Sequence, residues 1–187
     1  MKQLTVLVDM DDTIECLCDA WIACLNSKHG THVLPDDITS WCMDDAFPTL
    51  TKQEIYAPLY DESFWSTVKP KKGAAKYLRR LKEDGHLVLI VTTSSYRALH
   101  AKMDDVLFKY FPFIEWDDVI ITARKQLISG DVLIDDGVHN LEGGEYLKLL
   151  MDAPHNRSYD AQSNCIHRVK DWDEVYSMVS AYANAID

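Results

Sequence analysis

A strand-like run that ends in three carboxylates is the feature that most constrains this chain. Residues 4–8 read Leu-Thr-Val-Leu-Val, and Asp9, Asp11 and Asp12 follow at once. The apolar run is typical of a strand buried in a parallel sheet. Like charges crowded at a strand end repel one another and cost stability. The sequence therefore predicts that an opposite charge offsets this repulsion.

The rest of the chain alternates strand-like and helix-like patterns. Apolar runs typical of buried strands recur at residues 87–91, 119–121 and 132–134, and residues 166–169 are a candidate fifth strand. Helical spacing of apolar residues covers 14–25, 74–81, 98–110 and 172–186. This alternation predicts an α/β protein with a Rossmann-like parallel sheet and helices on both faces.

One stretch breaks the alternation. Roughly eighty residues separate the first two predicted strands, far more than one crossover helix needs. Residues 16–72 are rich in Trp, Tyr, Phe, Asp and Pro and show no strand alternation. We predict that residues 16–72 form a small, mostly helical cap, and that residues 1–15 and 73–187 form the α/β core.

Charge and composition exclude several classes of partner. The net charge of −11 argues against binding of a nucleic-acid polymer or an anionic membrane, because both need clustered Lys and Arg. Apolar runs stay well short of the ~20 residues that cross a bilayer, and carboxylates interrupt any signal-type core near the N-terminus. The odd number of cysteines, five, suits a reducing compartment. These features predict a cytoplasmic protein.

Polar side chains follow each of the first four predicted strands. In order along the chain they are Asp9 and Asp11; Thr92, Thr93 and Ser94; Lys125; and Asp135 and Asp136. Ligands of parallel α/β sheets bind beyond the carboxyl ends of the strands, so these groups should meet at one edge. Mg²⁺ prefers such oxygen ligands together with substrate phosphate. The set predicts phosphoryl transfer, with one carboxylate attacking phosphorus and Lys125 neutralising phosphate charge.

The order of these motifs resembles the haloacid-dehalogenase-like phosphohydrolase superfamily. "DMDDT" at residues 9–13 matches the first motif, Asp-x-Asp-x-Thr/Val. Thr92, with Thr93 a close alternative, matches the second motif, and Lys125 matches the third. "IDD", which contains Asp135 and Asp136, matches the acidic fourth motif. The resemblance implies the superfamily fold, with a cap inserted after the first strand.

Within the superfamily, the chain resembles the 5'(3')-deoxyribonucleotidases. The resemblance rests on "VLVDMDDT", "IVTTSS", "ITARKQLISGDVLIDDGVHN" and "DAPHN". Two departures bear on substrate preference more than on chemistry. Asp12 stands where many superfamily members have Gly, and Ser95-Tyr96 replaces a Pro-containing turn.

The resemblance implies a role for each motif residue. Asp9 would be the nucleophile and a metal ligand, and Asp11 would be the general acid/base whose backbone carbonyl also binds the metal. Thr92, with Thr93 and Ser94, would bind the transferring phosphoryl group. Lys125, with Arg124 as its rival, would hold Asp9 and the phosphate. Asp136 would ligate the metal directly while Asp135 positions a metal-bound water or Lys125, or the reverse.

Aromatic residues of the predicted cap are candidates for holding a nucleobase. They are Trp41, Phe47, Tyr60, Phe64 and Trp65. A flat base stacks well on such rings, although aromatic residues of a small helical insert more often form its core. Trp41 and Phe47 are the leading pocket candidates. The motif "APHNR" places His155 and Asn156 near the same edge of the sheet without a defined role.

The sequence thus predicts a Mg²⁺-dependent phosphatase of (deoxy)ribonucleoside monophosphates, monomeric or homodimeric, that works through an aspartyl-phosphate. One alternative is a related phosphatase of another small phosphomonoester such as a sugar phosphate. Another is a non-catalytic nucleotide-binding protein on the same fold. A receiver-like signalling domain also clusters Asp, Thr/Ser and Lys around Mg²⁺, but the long gap before the second strand argues against that compact design.

Overall fold

The computed structural model describes residues 2–186. Its strands are β1 Thr5–Val8, β2 Leu87–Thr92, β3 Val119–Ile121, β4 Val132–Asp135, β5 Leu147–Met151 and β6 His167–Val169. Its α-helices are α1 Leu17–His29, α2 Lys52–Tyr56, α3 Glu62–Trp65, α4 Ala74–Glu83, α5 Leu99–Lys102, α6 Val138–Leu141 and α7 Trp172–Ala185. A π-helical turn, Met103–Phe108, continues α5.

The strands form one parallel sheet in the order β3-β2-β1-β4-β5-β6. The chain builds outward from β1 to β3 on one side and from β4 to β6 on the other. The carboxyl ends of β1 and β4 therefore flank the point where the strand order reverses, which is where such sheets bind ligands. Val8 lies opposite Ile90 on β2 and Ile134 on β4. Asp9 therefore follows the last residue of β1 at a point between the strands β2 and β4.

Side chains of successive strand residues enter two separate hydrophobic cores, one on each face of the sheet. Val6 and Val8 belong to the larger core, which also contains residues of α1, α4 and α7. Leu7 points the other way and packs in the smaller core with Leu141 of α6 and Ile166. This alternation is the period-2 geometry of a strand. The predicted α/β fold with helices on both faces is confirmed.

The sheet contains one strand more than the sequence predicted. Four predicted strands and the candidate fifth are present with bounds shifted by at most one residue, but the sequence did not predict β5. Its sequence, Leu-Lys-Leu-Leu-Met, lacks the β-branched residues that mark strands, and Lys148 interrupts the apolar run. Its position between β4 and β6 buries Leu149, Leu150 and Met151 all the same.

Residues 16–72 contain α1, α2, α3 and several 3₁₀ turns and no strand. The chain enters and leaves this segment side by side, because Cys16 N donates to the Lys69 carbonyl at 2.9 Å and Lys71 N donates to the Ile14 carbonyl at 2.8 Å. This pairing explains why the predicted helix over 14–25 begins only at Leu17. In residues 2–186, no helix is both long and apolar enough to span a membrane.

Candidate active site

A buried lysine joins two strand-end carboxylates at the centre of the sheet edge. Asp9 follows β1, Asp135 ends β4, and Lys125 begins a 3₁₀ turn after β3. Lys125 Nζ donates a short hydrogen bond to Asp9 Oδ1 and a second, of 2.6 Å, to Asp135 Oδ2. All three side chains are buried, whereas Arg124 is exposed. The fold therefore places Lys125, and not Arg124, between the carboxylates.

The two adjacent aspartates at the end of β4 have different surroundings. Asp135 Oδ1 accepts hydrogen bonds from Gly137 N at 2.8 Å and from Asn140 Nδ2 at 3.0 Å, and its other oxygen accepts from Lys125. Asp136 faces the cavity, and its Oδ1 is buried without a hydrogen-bond partner in the part of the chain that the structure describes. Asp136 thus keeps an oxygen available for a ligand, and Asp135 does not.

Burial and mutual repulsion make this carboxylate cluster reluctant to ionise. Burial, which outweighs the neighbouring Lys125, holds the pKa of Asp9 well above its usual value. Burial and the charge of Asp135 raise the pKa of Asp136 to about 8. Burial would lower the pKa of Lys125, but Asp9 and Asp135 together hold it above its usual value. One ammonium group therefore leaves the negative charge of the cluster only partly compensated.

The cluster has the donor set of a divalent-cation site. One carboxylate oxygen each of Asp9, Asp135 and Asp136 lie within 4.8 Å of one another, and those of Asp9 and Asp136 face the cavity, whereas Asp135 is bonded to Lys125, Gly137 and Asn140. Hard cations such as Mg²⁺ take oxygen ligands of this kind. The unpartnered Oδ1 of Asp136 is the observation that favours such an ion, because a buried carboxylate oxygen without a partner is costly. The residues present therefore fit a divalent cation.

Asp11 is held by a second buried lysine that the sequence did not single out. Lys102 Nζ lies 2.7 Å from an Asp11 carboxylate oxygen and also donates to the Thr92 hydroxyl at 3.0 Å. Lys102 is 1% exposed and sits at the end of α5, beneath the Trp65 ring. A lysine within an apolar helical pattern is a visible signal, because such a residue needs a buried partner.

The hydroxyls that follow β2 differ in their access to the cavity. Thr92 is fully buried, does not line the cavity, and contacts Lys102. Thr93 lines the cavity and donates to the Thr122 carbonyl at 3.0 Å. Ser94 is half-buried and donates to the Ser95 carbonyl at 3.3 Å. Of the two threonines, only Thr93 faces the cavity, and the phosphate-binding role of either residue stays a prediction.

A cavity of about 450 Å³ opens above these groups. Its floor is charged and consists of Asp9, Asp11, Asp12, Lys125 and Asp136. Its apolar wall comes from the 16–72 segment and consists of Leu17, Trp21, Ile38, Trp41, Met43, Tyr56 and Leu59. A site with a charged floor and an apolar wall suits a small molecule with one anionic end and one flat or apolar end.

The aromatic residues predicted for a base pocket divide between cavity and core. Trp41 lines the cavity and packs edge-to-face against His139, with ring centroids 4.5 Å apart, and against His155 at 5.3 Å. Phe47 is 1% exposed and lies in the hydrophobic core, so its predicted place in the pocket is wrong. Phe64 and Trp65 are also core residues, because the segment needs its bulkiest apolar side chains to fill its interior.

Asp12 caps α1 from an unusual backbone conformation. Its φ is +52°, in the left-handed region where Gly is favoured and Asp is tolerated. Its carboxylate accepts a hydrogen bond from Cys18 N at 3.1 Å, which satisfies one free amide of the first turn of α1. Burial and the nearby Asp136 raise the pKa of Asp12 to about 7. An Asp at position 12 can therefore cap α1, which a Gly at this position could not do.

Glu15 adds a further carboxyl group beside Asp11. The side chain is fully buried, and within residues 2–186 neither carboxylate oxygen accepts a hydrogen bond. Burial, with Asp11 and Asp12 nearby, holds the pKa of Glu15 well above its usual value. The sequence-based assignment of motifs did not detect this residue, although a Glu inside an apolar helical pattern is an unusual one.

Replacing Glu15 with Gln is expected to raise the free energy of unfolding of the metal-free protein by about 1–3 kcal/mol near neutral pH. The folded state keeps a proton that the unfolded state releases above about 4.5, so the stability of the parent falls as pH rises from there to the folded-state pKa. Urea unfolding at about pH 4 and about pH 8 measures this difference. The gain should shrink at the lower pH, where Glu15 is protonated in both states.

Glu83→Gln is the matched control, because Glu83 is exposed at the end of α4. It should leave the free energy of unfolding within about 0.5 kcal/mol at both pH values. A gain for Glu15→Gln that is the same at both pH values would contradict the burial of an ionisable carboxyl group here.

The sequence of this chain is similar to those of known nucleotidases. The family model described as "5' nucleotidase, deoxy (Pyrimidine), cytosolic type C protein" matches residues 2–185. A 5'(3')-deoxyribonucleotidase of Bacillus subtilis (strain 168) is 32% identical over 176 residues, which cover 94% of this chain and 97% of that protein. The match to the family model spans every motif residue described above.

Solved structures agree in fold. A haloacid-dehalogenase family hydrolase from Deinococcus radiodurans R1, with bound phosphate and sodium, superposes with a TM-score of 0.65 at 16% identity and covers 96% of both chains. The protein YfnB of Bacillus subtilis, bound to magnesium, superposes with a TM-score of 0.57 at 15% identity, over 95% of this chain and 99% of that one. The chain has the haloacid-dehalogenase fold and belongs to the 5'(3')-deoxyribonucleotidase family of phosphoric monoester hydrolases.

Proposed function

We propose that this protein is a Mg²⁺-dependent phosphatase that hydrolyses (deoxy)ribonucleoside monophosphates through an aspartyl-phosphate on Asp9. Membership of the family gives the class of reaction. The observation that carries the finer proposal is the position of Asp9 on the cavity floor, bonded to Lys125 and beside the free Oδ1 of Asp136.

Asp9, Asp136 and the backbone carbonyl of Asp11 would hold the metal. When bound, the ion would neutralise charge on the carboxylates and on the phosphate of the substrate. Asp135 would act indirectly, because its oxygens already bind Lys125, Gly137 and Asn140. The magnesium bound to the structural relative YfnB supports the choice of ion.

The reaction divides into two displacements at phosphorus. In the first, a carboxylate oxygen of Asp9 attacks phosphorus, the bond from phosphorus to the nucleoside oxygen breaks, and Asp11 gives its proton to that oxygen. In the second, Asp11 takes a proton from water, the water oxygen attacks phosphorus, and the bond to Asp9 breaks. The products are the nucleoside and inorganic phosphate, and both aspartates return to their initial state.

Two cavity residues would bind the transferring phosphoryl group. Lys125 supplies positive charge and stays fixed by Asp135 when Asp9 becomes esterified. The Thr93 hydroxyl now donates to the Thr122 carbonyl and would turn to a phosphoryl oxygen instead. Lys102 would keep the Asp11 carboxyl group directed at the leaving oxygen.

The apolar wall supplied by residues 16–72 would bind the base and the sugar, so we propose that this segment acts as the cap. Trp41→Ala should raise KM about 10-fold and change kcat less, because stacking on a base is worth about 1–3 kcal/mol and does not involve the reacting atoms. Steady-state kinetics with a preferred nucleotide measures both constants.

Trp116→Ala is the matched control for this prediction. Trp116 is 56% exposed, close to the 57% of Trp41, but lies at the amino end of β3, away from the cavity. Its replacement should leave KM within about twofold. An unchanged KM in Trp41→Ala would remove Trp41 from the proposed base pocket.

Phosphate release from a panel of substrates tests the proposed function. The panel contains deoxy- and ribonucleoside monophosphates and sugar phosphates, each with Mg²⁺ and with EDTA. The proposal expects turnover of nucleotides that EDTA abolishes and Mg²⁺ restores. Turnover of sugar phosphates alone would contradict the assignment of the pocket to a nucleoside, and turnover that is unaffected by EDTA would contradict the metal requirement.

A further inference from the structure

The motif "APHNR" forms a short turn that contacts Asp136, one of the proposed metal ligands. Residues Pro154–Asn156 make a 3₁₀ turn after β5. Asn156 Nδ2 donates to the backbone carbonyl of Asp136 at 2.9 Å, and His155 Nε2 lies 3.1 Å from Asp136 Oδ2. Both the backbone and the side chain of Asp136 are therefore in contact with the turn, although the turn is distant in sequence.

Asn156 has little freedom to move. It is 3% exposed, and its Nδ2 also donates to the Met151 carbonyl at 2.9 Å. Its Oδ1 accepts hydrogen bonds from Ala153 N at 3.3 Å and from Arg168 Nη1 at 2.5 Å. Both the nitrogen and the oxygen of the side-chain amide are therefore hydrogen-bonded. Every partner belongs to the edge of the sheet or to the same turn.

Arg168 on β6 fixes the turn from the next strand. Besides Asn156 Oδ1, its guanidinium donates to the carbonyls of Asn156 at 2.9 Å and Tyr159 at 3.1 Å, and to Asp152 Oδ1 at 2.9 Å. The planar fork of an arginine makes such a set of bonds directional. A chain of hydrogen bonds therefore runs from β6 through Asn156 to Asp136.

We propose that Asn156, locked by Arg168, is a positioning residue that sets the backbone and carboxylate orientation of Asp136 for divalent-cation binding. The inference rests on the proposed function, because it assumes that Asp136 Oδ1 is a ligand oxygen. Without Asn156 the buried carbonyl of Asp136 would lose its shorter hydrogen bond and keep only His155 Nε2, 3.3 Å away, so the residue would shift towards that nitrogen. The free oxygen of Asp136 would then no longer point at the position set by Asp9.

Isothermal titration of EDTA-dialysed protein with MgCl₂ tests the proposal without relying on turnover. Asn156→Ala is expected to raise the Kd for Mg²⁺ about 10–100-fold, the usual effect of removing a partner of a metal ligand. Arg168→Gln should raise it in the same direction by several-fold, and Arg168→Lys, which keeps the charge but not the fork, should recover only part of the loss.

Arg157→Gln is the matched control. Arg157 is on the same turn and also contacts Asp152, at 3.4 Å, but its other partner is Asp36 and it makes no hydrogen bond to Asn156 or Asp136. Its replacement should leave the Kd within about twofold. Thermal melts in EDTA report how far each variant is destabilised, and a purely structural role would lower the melting temperature without moving the Kd.

Three outcomes would overturn the inference. A folded Asn156→Ala variant with the Kd of the parent would show that Asp136 needs no such support. If Asn156→Ala does not fold, an unchanged Kd in Arg168→Gln would lead to the same conclusion. The parent itself failing to bind Mg²⁺ would instead contradict the proposed function, and this inference with it. Binding by the parent therefore separates the two failures.

Discussion

Asp9→Asn is expected to lower kcat for phosphate release by roughly 10⁴-fold or more, as the loss of a nucleophile does in other enzymes. An amide oxygen is a far weaker nucleophile than a carboxylate, and no other carboxylate of the floor is equally placed. Asp11 is bonded to Lys102, Asp12 accepts a hydrogen bond from Cys18 N, and Asp136 lies 3.1 Å from His155 Nε2. The measurement is steady-state phosphate release with saturating Mg²⁺.

The variant should remain folded, because Lys125 keeps Asp135 as a partner and one buried carboxylate with a raised pKa is removed. Asp117→Asn is the control, since Asp117 is exposed near the amino end of β3. It should retain the activity of the parent. A folded Asp9→Asn protein that keeps a tenth or more of the parent's kcat would contradict a nucleophilic role for Asp9.

Lys125→Met is expected to cost about 3–5 kcal/mol of unfolding free energy at about pH 8 in the absence of metal, besides abolishing activity. Asp9 and Asp135 would then be buried without the ammonium group that compensates them. The loss should diminish as pH falls, because the two carboxyl groups can be neutral in the folded state at lower pH. Urea unfolding in EDTA at several pH values measures it.

Arg124→Met is the matched control for Lys125→Met. The two cations are adjacent in sequence, but Arg124 is exposed and Lys125 is 2% exposed. Replacement of Arg124 should change stability by no more than about 0.5 kcal/mol. A larger loss for Arg124→Met than for Lys125→Met would show that the assignment of the charged partner of Asp9 is reversed.

Much of this fold could be predicted because the strands that carry the site are apolar runs followed by polar residues. β1 and β4 end in "DMDD" and "DD", and such contrasts mark both the strand and its functional end. β5 gave no such signal. Its Leu, Lys and Met residues favour a helix in isolation, and only its place between β4 and β6 makes it a strand.

The site was predictable where a motif fixes the residue and not where packing decides it. Asp9, Lys125 and Asp135 come together because each lies at or just after the carboxyl end of a strand of the same parallel sheet. The choice between Thr92 and Thr93 depends on which side chain faces the cavity, and successive strand residues face opposite ways. Phe47 and Trp41 have the same aromatic signature, and only the tertiary packing separates core from cavity.

The residues that contact or adjoin the motif aspartates, without being motif residues of assigned role themselves, were the hardest to predict. Lys102 contacts Asp11 from a distant part of the chain, Glu15 lies beside Asp11 without belonging to a motif, and Asn156 stands in a motif to which the sequence gave no role. Their common property is burial of a polar or charged side chain inside an apolar context. That property could be suspected from the helical pattern around Lys102 and Glu15, but the partner of each could not.

Detection of the phosphorylated enzyme tests whether Asp9 is the nucleophile. Protein mixed with a deoxynucleoside monophosphate and Mg²⁺ is quenched in acid within milliseconds to seconds, digested and analysed by mass spectrometry, with Asp11→Asn included to slow loss of the phosphoryl group. We expect one added phosphoryl group on the peptide that contains Asp9, absent in EDTA and in Asp9→Asn. Phosphate release without any such adduct at any time, or an adduct on another residue, would contradict that role.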